Sequence, residues 1–135
     1  MTLSTDKKAQ LKTQAAAGNM VAQALLDMSL DIELTKGVEA ANIIKVTGIV
    51  RDGVGLAVPG VKNVIVTSVC VAGAGGLTDG GAGVFKAGST TKVAWLQTDA
   101  NGKFEVNVTN ASAEDNLIHC QLGNGDDAMI VLTFA

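Results

Sequence analysis

The side chains that could do chemistry in this 135-residue chain are few and scattered. His119 is the only histidine, and alternation along its candidate strand places it on the side opposite to Ile118 and Cys120. Catalysis by this imidazole would require a nucleophile and an orienting acid beside it. No serine lies in a Gly-x-Ser-x-Gly turn, and the acids are dispersed. The pattern predicts a solvated or interfacial histidine and indicates that the protein is not an enzyme.

Two acidic stretches resemble pieces of calcium-binding loops, Asp99-x-Asn101-Gly102 and Gly125-Asp126-Asp127. Calcium takes about six to eight oxygen ligands, and each stretch offers only a few, so we interpret both as turns. The glycine-rich segment 72–83 has neither the Gly-Lys-Ser/Thr ending of a phosphate-binding loop nor a G-x-G-x-x-G pattern. We therefore expect no metal and no cofactor.

Charge and apolar content limit the classes of partner. The net charge is −3, with four lysines against five acids in residues 1–42 and six basic against eight acidic residues beyond them. Neither part forms a basic stripe that would neutralise phosphates, so direct nucleic-acid binding is not expected. Hydrophobic residues make up 47% of the chain, yet no apolar run reaches the roughly 18 to 20 residues that span a bilayer. With no signal-peptide pattern either, we expect a protein made and kept in a cytoplasm, without a membrane partner.

Residues 1–42 predict a helical arm. Ser4 or Thr5 can cap a helix with Asp6 in its first turn, and Gly18-Asn19 then interrupts the helical run. Asn19 can cap a second helix, so the arm is either one kinked helix or two short ones. Four apolar residues recur at helical spacing, and we expect them to pack on the sandwich or on a neighbouring subunit: Val21, Leu25, Met28 and Ile32.

Beyond residue 42 the apolar period changes from about 3.6 to about 2, and β-branched residues become frequent. This change predicts a second region, residues 43–135, built as a mainly β, seven-stranded antiparallel sandwich. The turn from Asp99 to Gly102 predicts a hairpin between the strand of Trp95 and the strand of Phe104. The candidate strands are 43–51, 61–71, 84–87, 92–98, 103–109, 117–122 and 128–135.

The segment 72–83 has six glycines in twelve residues and a single charge, Asp79. A loop with so few side chains loses much entropy when it is ordered, so we expect it to be mobile or held by a partner. Backbone-rich loops can contact a partner without specific side chains. Its candidate interface residues are Gly75, Gly76, Gly80 and Gly81.

Three stretches together resemble the Ig-like modules of bacterial and phage proteins: Val46 to Gly53, Val58 to Val61 and Thr98 to Phe104. The resemblance covers roughly 90 residues and implies the fold but no ligand. The chain departs from antibody domains, since it has no tyrosine and Trp95 lies on the fourth candidate strand. Cys70 and Cys120 do fall on the second and sixth candidate strands, which a disulfide joins in antibody domains. We favour two buried thiols over that disulfide, because a cytoplasm is reducing.

A helical segment in front of one Ig-like module is similar to small phage virion proteins, above all head decoration proteins. This resemblance implies a structural protein on the capsid surface that binds the major capsid protein, self-associates as a trimer or with lattice neighbours, and stabilises the head. A tail or connector subunit is one alternative. Another is a virion module that binds a glycan on the host surface, for which Trp95 and Phe85 are the candidate sugar-stacking residues.

Overall fold

The computed structural model of the chain describes residues 4–28, 30–52, 55, 57, 61–71, 76–86, 89–123 and 126–135. This part contains two helices, α1 (Thr5–Ala16) and α2 (Met20–Met28). The described strands are nine: β1 (Leu30–Lys36), β2 (Ile43–Asp52), β3 (Asn63–Val69), β4 (Gly76–Asp79), β5 (Val84–Phe85), β6 (Val93–Gln97), β7 (Lys103–Thr109), β8 (Asp115–Leu122) and β9 (Asp127–Thr133).

The strands form two antiparallel sheets that pack face to face. One sheet has the order β1-β2-β7-β4, and the other has the order β5-β6-β3-β8-β9. The first order matches strands A, B, E and D of a constant-type immunoglobulin domain, and β3-β8-β9 matches strands C, F and G. Strands β5 and β6 are an additional pair that extends the second sheet beside β3. The predicted Ig-like β-sandwich is confirmed, with nine strands in place of seven.

Alternating side chains from both sheets fill the core. Along β7, Phe104, Val106 and Val108 are fully buried, as the alternation in the sequence predicts. The ring of Phe104 lies over Gly48 of β2, where an added Cβ would come within 2.1 Å of it. Glycine at this strand position therefore makes room for a fully buried aromatic ring of the core.

The N-terminal segment forms two short helices, one of the two predicted forms. Ser4 Oγ accepts a hydrogen bond from the Lys7 N–H at 3.2 Å, and Asn19 Oδ1 accepts one from the Ala22 N–H at 3.1 Å. These bonds cap the two helices as the sequence predicts. The two helices pack on each other through a small apolar cluster formed by Leu11, Ala15, Ala22 and Leu25. An ion pair between Lys8 and Asp31 joins α1 to β1.

The helical conformation predicted around Ile32 is wrong. Residues 30–36 form β1, which pairs with β2 along its whole length, so strand pairing begins before residue 43. Ile32 is buried in the sandwich core and does not belong to a helical interface. The apolar residues of β1 alternate with polar ones, and Ile32 satisfies this period of 2 as well as the helical spacing from Met28.

The glycine-rich segment is also more regular than predicted. Its central residues, Gly76–Asp79, form β4 and pair with β7. Together with β1, this strand accounts for the difference between seven predicted and nine observed strands. Gly76–Asp79 can form a strand because β7 offers unpaired backbone groups along its edge, and backbone pairing does not depend on side-chain content.

The predicted hairpin between β6 and β7 is wrong, although its turn forms. Asp99 Oδ1 accepts hydrogen bonds from the N–H groups of Asn101 at 2.8 Å and Lys103 at 3.0 Å, and Gly102 has a φ of +77°. The two strands nevertheless lie in different sheets, so the turn carries the chain across the sandwich. Turn chemistry determines the reversal of the chain but not whether the flanking strands pair.

The cysteines lie in or next to neighbouring strands of one sheet, and both thiols are free. Cys120 of β8 is buried as predicted, whereas the prediction that Cys70 is buried is wrong, because Cys70 follows the end of β3 and is only partly buried. The disulfide considered from their positions in the sequence is therefore absent. Burial raises the pKa of the Cys120 thiol to about 12, which keeps it protonated and unreactive at neutral pH.

Candidate functional site

The outward side of the five-stranded sheet carries an exposed apolar surface, which we call the apolar outer face. In most antiparallel sandwiches the outward positions are polar. Here apolar residues recur at those positions on all five strands. The residues are Val84 of β5, Trp95 of β6, Ile65 and Val69 of β3, Leu117 of β8, and Met129 and Val131 of β9.

The strand register brings most of these side chains together. Ile65 is directly opposite Trp95, and Leu117 lies between Val69 on one side and Val131 on the other. Directly opposed residues place their Cβ atoms about 4.5–5.5 Å apart, which is contact distance for side chains of this size. The exposed apolar residues therefore form connected groups across the sheet.

The size of the face is compatible with a functional patch. Its five strands have 2, 5, 7, 8 and 7 residues, which at about 4.8 Å between strands and about 3.3 Å per residue cover roughly 460 Å². The largest apolar patch on a monomeric protein is typically about 300–600 Å² and is often functional. The face as a whole, with its polar positions included, lies within that range.

A groove of about 290 Å³ lies at one end of the apolar outer face. Trp95 lines it and is 55% exposed. Its backbone is fixed, because Ser89 Oγ accepts the Trp95 N–H at 2.9 Å. Polar groups border the indole: Asn63, Gln121 and Lys86 also line the groove. This end of the face combines an aromatic platform with amide and ammonium groups.

A second concavity, of about 370 Å³, lies at the opposite end of the same face. Its lining is mainly aliphatic and includes Val69, Val71, Leu117 and Val131. Asp115 also lines it, at the end where β8 begins. This end offers burial of apolar area with little hydrogen bonding.

His119 lies on the outward side of β8, opposite to Ile118 and Cys120, as predicted. Its Nε2 is 2.9 Å from Asp127 Oδ2 of β9, and both side chains are partly exposed. This pair adds a polar spot to the apolar outer face beside Met129, which is opposite His119 across the strands. The histidine is therefore engaged with a surface carboxylate.

The opposite side of the molecule differs in character. The outward positions of the four-stranded sheet carry alternating charges, which we call the charged outer face. Arg51 Nε is 2.8 Å from Glu33 Oε2, and Lys45 Nζ is 3.4 Å from Glu105 Oε2. Such a surface is well solvated and has little apolar area to bury.

The predicted helical interface residues have different surroundings. Val21 is 70% exposed and remains available for a partner. Leu25 is half-buried against Leu11 and Ala22, so it is used inside the helical pair. Met28 is the last residue of α2, and its side chain lies outside the described part.

The predicted glycine contacts are largely accounted for by packing within the sandwich. An added Cβ at Gly80 would come within 2.7 Å of the Glu105 backbone, so β7 requires glycine there. Gly81 has a φ of +125°, and its N–H donates to Asp79 Oδ1 at 2.8 Å. Gly76 belongs to β4, and Gly75 lies outside the described residues.

Of the two predicted sugar-stacking residues, only Trp95 presents an exposed ring. Phe85 is half-buried and packs against the core. Most of the apolar outer face was not predicted from the sequence, namely Ile65, Val69, Leu117, Met129 and Val131. A signal was present, because β3 (Asn63-Val-Ile-Val-Thr-Ser-Val) has apolar residues at both alternating positions, which is typical of strands covered on both faces.

The described residues contain no group of three or more His, Cys, Asp or Glu side chains placed to hold a metal ion. None of the helices in the same part is long and apolar enough to cross a membrane.

The architecture defines a small Ig-like β-sandwich, and comparison with solved structures agrees. The adhesin InvE of Yersinia pseudotuberculosis is similar over 78% of this chain, with 20% sequence identity and a TM-score of 0.52. The match covers 32% of the adhesin chain, so this chain spans about a third of that protein. A cohesin module from a Clostridium perfringens family 33 glycoside hydrolase matches over 77% of this chain and 95% of the module, with 14% identity and a TM-score of 0.43. No protein-family model and no curated protein matches the sequence.

Proposed function

We propose that the chain is a non-enzymatic structural protein of a virion, made in the host cytoplasm, that decorates the capsid surface. The observation that carries this proposal is the apolar outer face, a broad exposed surface suited to another protein. The resemblance of the sequence to phage head decoration proteins supports the major capsid protein as the partner in this proposal. The function in this proposal is to bind across the capsid lattice and stabilise the head.

Energetics favour a role in which many copies act together. If about half of the roughly 460 Å² face is apolar, its burial is worth about 6 kcal/mol at about 25 cal/mol per Å². Association costs about 4–15 kcal/mol in lost freedom of motion. One copy therefore binds weakly through this face alone. A lattice with many equivalent sites gains stability from the sum of weak contacts.

Undecorated shells mixed with purified protein test the proposal. We expect wild-type protein to cosediment with the shells and to raise their temperature of disruption. Leu117→Lys places a charge in the middle of the apolar outer face and is expected to weaken binding at least tenfold, because burying an unpaired charge costs several kcal/mol (roughly 2–5). The matched control is Thr78→Lys, an exposed position on β4 of the other sheet, which is expected to bind like wild type.

Loss of binding in both variants, or in neither, would contradict the role of the apolar outer face. Absence of wild-type binding to shells of the cognate head would contradict the decoration function itself. Particles in which the chain occurs only in the tail would support the connector alternative.

A second candidate function, binding of a host surface glycan, is favoured by one observation. Trp95 presents an exposed ring beside Asn63 and Gln121 in the groove. Sugar rings stack on such aromatic faces while amides bond their hydroxyls. Because Trp95 is the only tryptophan, its fluorescence reports on this groove alone. Titration with host surface polysaccharide should change the emission of wild-type protein. Unchanged emission of the wild type, or an affinity of Trp95→Leu equal to that of the wild type in titration calorimetry, would contradict glycan binding.

A further inference from the structure

The two helices and β1, residues 4–40, are joined to the rest of the sandwich through a strained turn, and we call this part the exchangeable arm. We propose that two copies of this chain exchange their arms, so that β1 of each copy pairs with β2 of the other. The inference goes beyond capsid binding, because its partner is a second copy and its test uses the protein in solution.

The exchangeable arm is held together by contacts of its own. The small apolar cluster that joins α1 to α2, which includes Leu11 and Ala22, is formed by residues of the arm. The ion pair between Lys8 and Asp31 joins α1 to β1, which also belongs to the arm. The helices can therefore move with β1 as one unit.

The contacts between the arm and the sandwich can all be formed again in a second copy. β1 pairs with β2 along its whole length, and Ile32 enters the core. Lys36 Nζ donates to the Val131 carbonyl at 3.2 Å, and Glu39 Oε2 accepts the Ala135 N–H at 2.9 Å. Because the arm residues in these contacts precede the turn, an exchanged arm makes the same contacts on the other copy. Exchange then sacrifices none of them.

The turn after the arm is strained in the closed form. The backbone groups of Ala40 and Ile43 bond to each other in both directions at 3.0 Å, which leaves Ala41 and Asn42 as a two-residue turn. These two are the described non-glycine residues with positive φ, at +53° and +64°. Asparagine tolerates this conformation, whereas the Cβ of alanine is crowded there. Opening the turn releases the strain, and short strained hinges favour exchange of the element that they join.

The opened turns also create a new contact between the two copies. In a two-fold dimer the two hinge segments lie side by side. Val38 is exposed by 92% and Ile43 by 37% in the closed form, so apolar side chains flank the turn on both sides. Their burial between the copies favours the dimer, while the loss of free motion opposes it. Exchange should therefore increase with protein concentration.

A disulfide between two different chains tests the exchange. Thr35 of β1 is directly opposite Thr47 of β2. One chain carries Thr35→Cys and the other Thr47→Cys, both with Cys70→Ser, and the two full chains are unfolded in urea, refolded together and oxidised. We expect a disulfide between the chains, identified by mass spectrometry of the linked peptides, whose yield rises with concentration during refolding.

The matched control replaces Thr47→Cys with Thr78→Cys in β4, which β7 separates from β2. This pair should form at least about tenfold less of the linked product, because directly opposed residues lie within reach of a disulfide and residues three strands apart do not. Absence of the link between positions 35 and 47, an unchanged yield at all concentrations, or an equal yield in the control would overturn the proposal.

Sedimentation equilibrium of full chains with and without a relaxed turn gives a second measurement. Ala41→Gly removes the strain of the closed turn, and each dimer contains two turns, so we expect this variant to dimerise at least about tenfold more weakly than wild type. The matched control is Ala40→Gly, which adds a glycine outside the left-handed region and should dimerise like wild type. Equal dimerisation of wild type and Ala41→Gly would overturn the role of the strained turn.

Failure of the exchange and failure of the proposed function give different results. Chains that form no link between positions 35 and 47 but still bind shells would overturn the exchange alone. Exchanged dimers that bind no shells would contradict the decoration function and leave the exchange standing.

Discussion

In both sheets of this sandwich, buried apolar residues alternate with residues that point outward. The two outer faces differ in the chemical character of these outward residues. On the charged outer face, ion pairs such as Glu33–Arg51 occupy the positions between buried residues. On the apolar outer face, the same positions carry Ile65, Leu117 and Val131. Folding explains the inward residues of both sheets but not the outward residues of the second. Exposed apolar side chains on neighbouring strands indicate a surface that a partner covers.

The largest effect on stability is expected on the buried side of β8, and a much smaller one on its exposed side. Ile118 is fully buried, and its neighbour Leu117 is 38% exposed on the outer face. Ile118→Ala should lower the free energy of unfolding by about 2–5 kcal/mol, because it leaves a cavity in the core. Leu117→Ala should lower it by about 1 kcal/mol or less. Urea unfolding of both variants measures the difference, and equal losses would contradict a binding role for Leu117.

A smaller effect on the free energy of unfolding is expected when hydrogen-bonded asparagines are replaced, one inside the sandwich and one on the apolar outer face. Within the sandwich, Asn116 accepts from Asn110 Nδ2 at 2.6 Å and donates to Ser68 Oγ at 3.2 Å. Asn116→Ala should cost about 1–3 kcal/mol, because buried polar groups lose their partners. On the outer face, Asn63 Oδ1 accepts from Gln97 Nε2 at 3.1 Å, and this bond is exposed. Asn63→Ala should cost less than about 0.5 kcal/mol, and the same denaturation measurement compares them.

Alkaline pH should affect stability through the inner side of β8. Burial raises the pKa of Cys120 from 9.0 to about 12, so between these values the unfolded chain binds fewer protons than the folded chain. Stability should therefore fall as pH rises through this window, by at most about 1.4 kcal/mol per pH unit. Unfolding of Cys120→Ala at the same pH values is the control. An identical slope in that variant would show that other groups are responsible.

The smallest effect is expected on the charged outer face. Glu33 is more than half exposed, so the Glu33–Arg51 pair is largely screened by water. Glu33→Gln should change stability by less than about 0.5 kcal/mol, and the change should shrink in high salt. A loss of shell binding in this variant would contradict the assignment of binding to the opposite face.

Much of the sandwich could be predicted from the sequence because its inner residues alternate regularly, as along Phe104, Val106 and Val108. The helix caps at Ser4 and Asn19 were predictable because capping is local chemistry. Strand β1 was not, because Ile32 fits helical and strand spacing equally. The separation of β6 and β7 into two sheets depends on packing between distant segments, which turn residues do not encode. The binding surface was hard to predict for a related reason, since an outward Leu117 and a buried Ile118 are adjacent apolar residues in the sequence.

Imaging of intact particles at side-chain resolution would show which outer face of the sandwich meets the capsid. We expect regular copies over the capsid, with Leu117 and Ile65 in contact with the major capsid protein and the Glu33–Arg51 pair in solvent. Copies whose apolar outer face points to solvent, or a chain restricted to the tail, would contradict it.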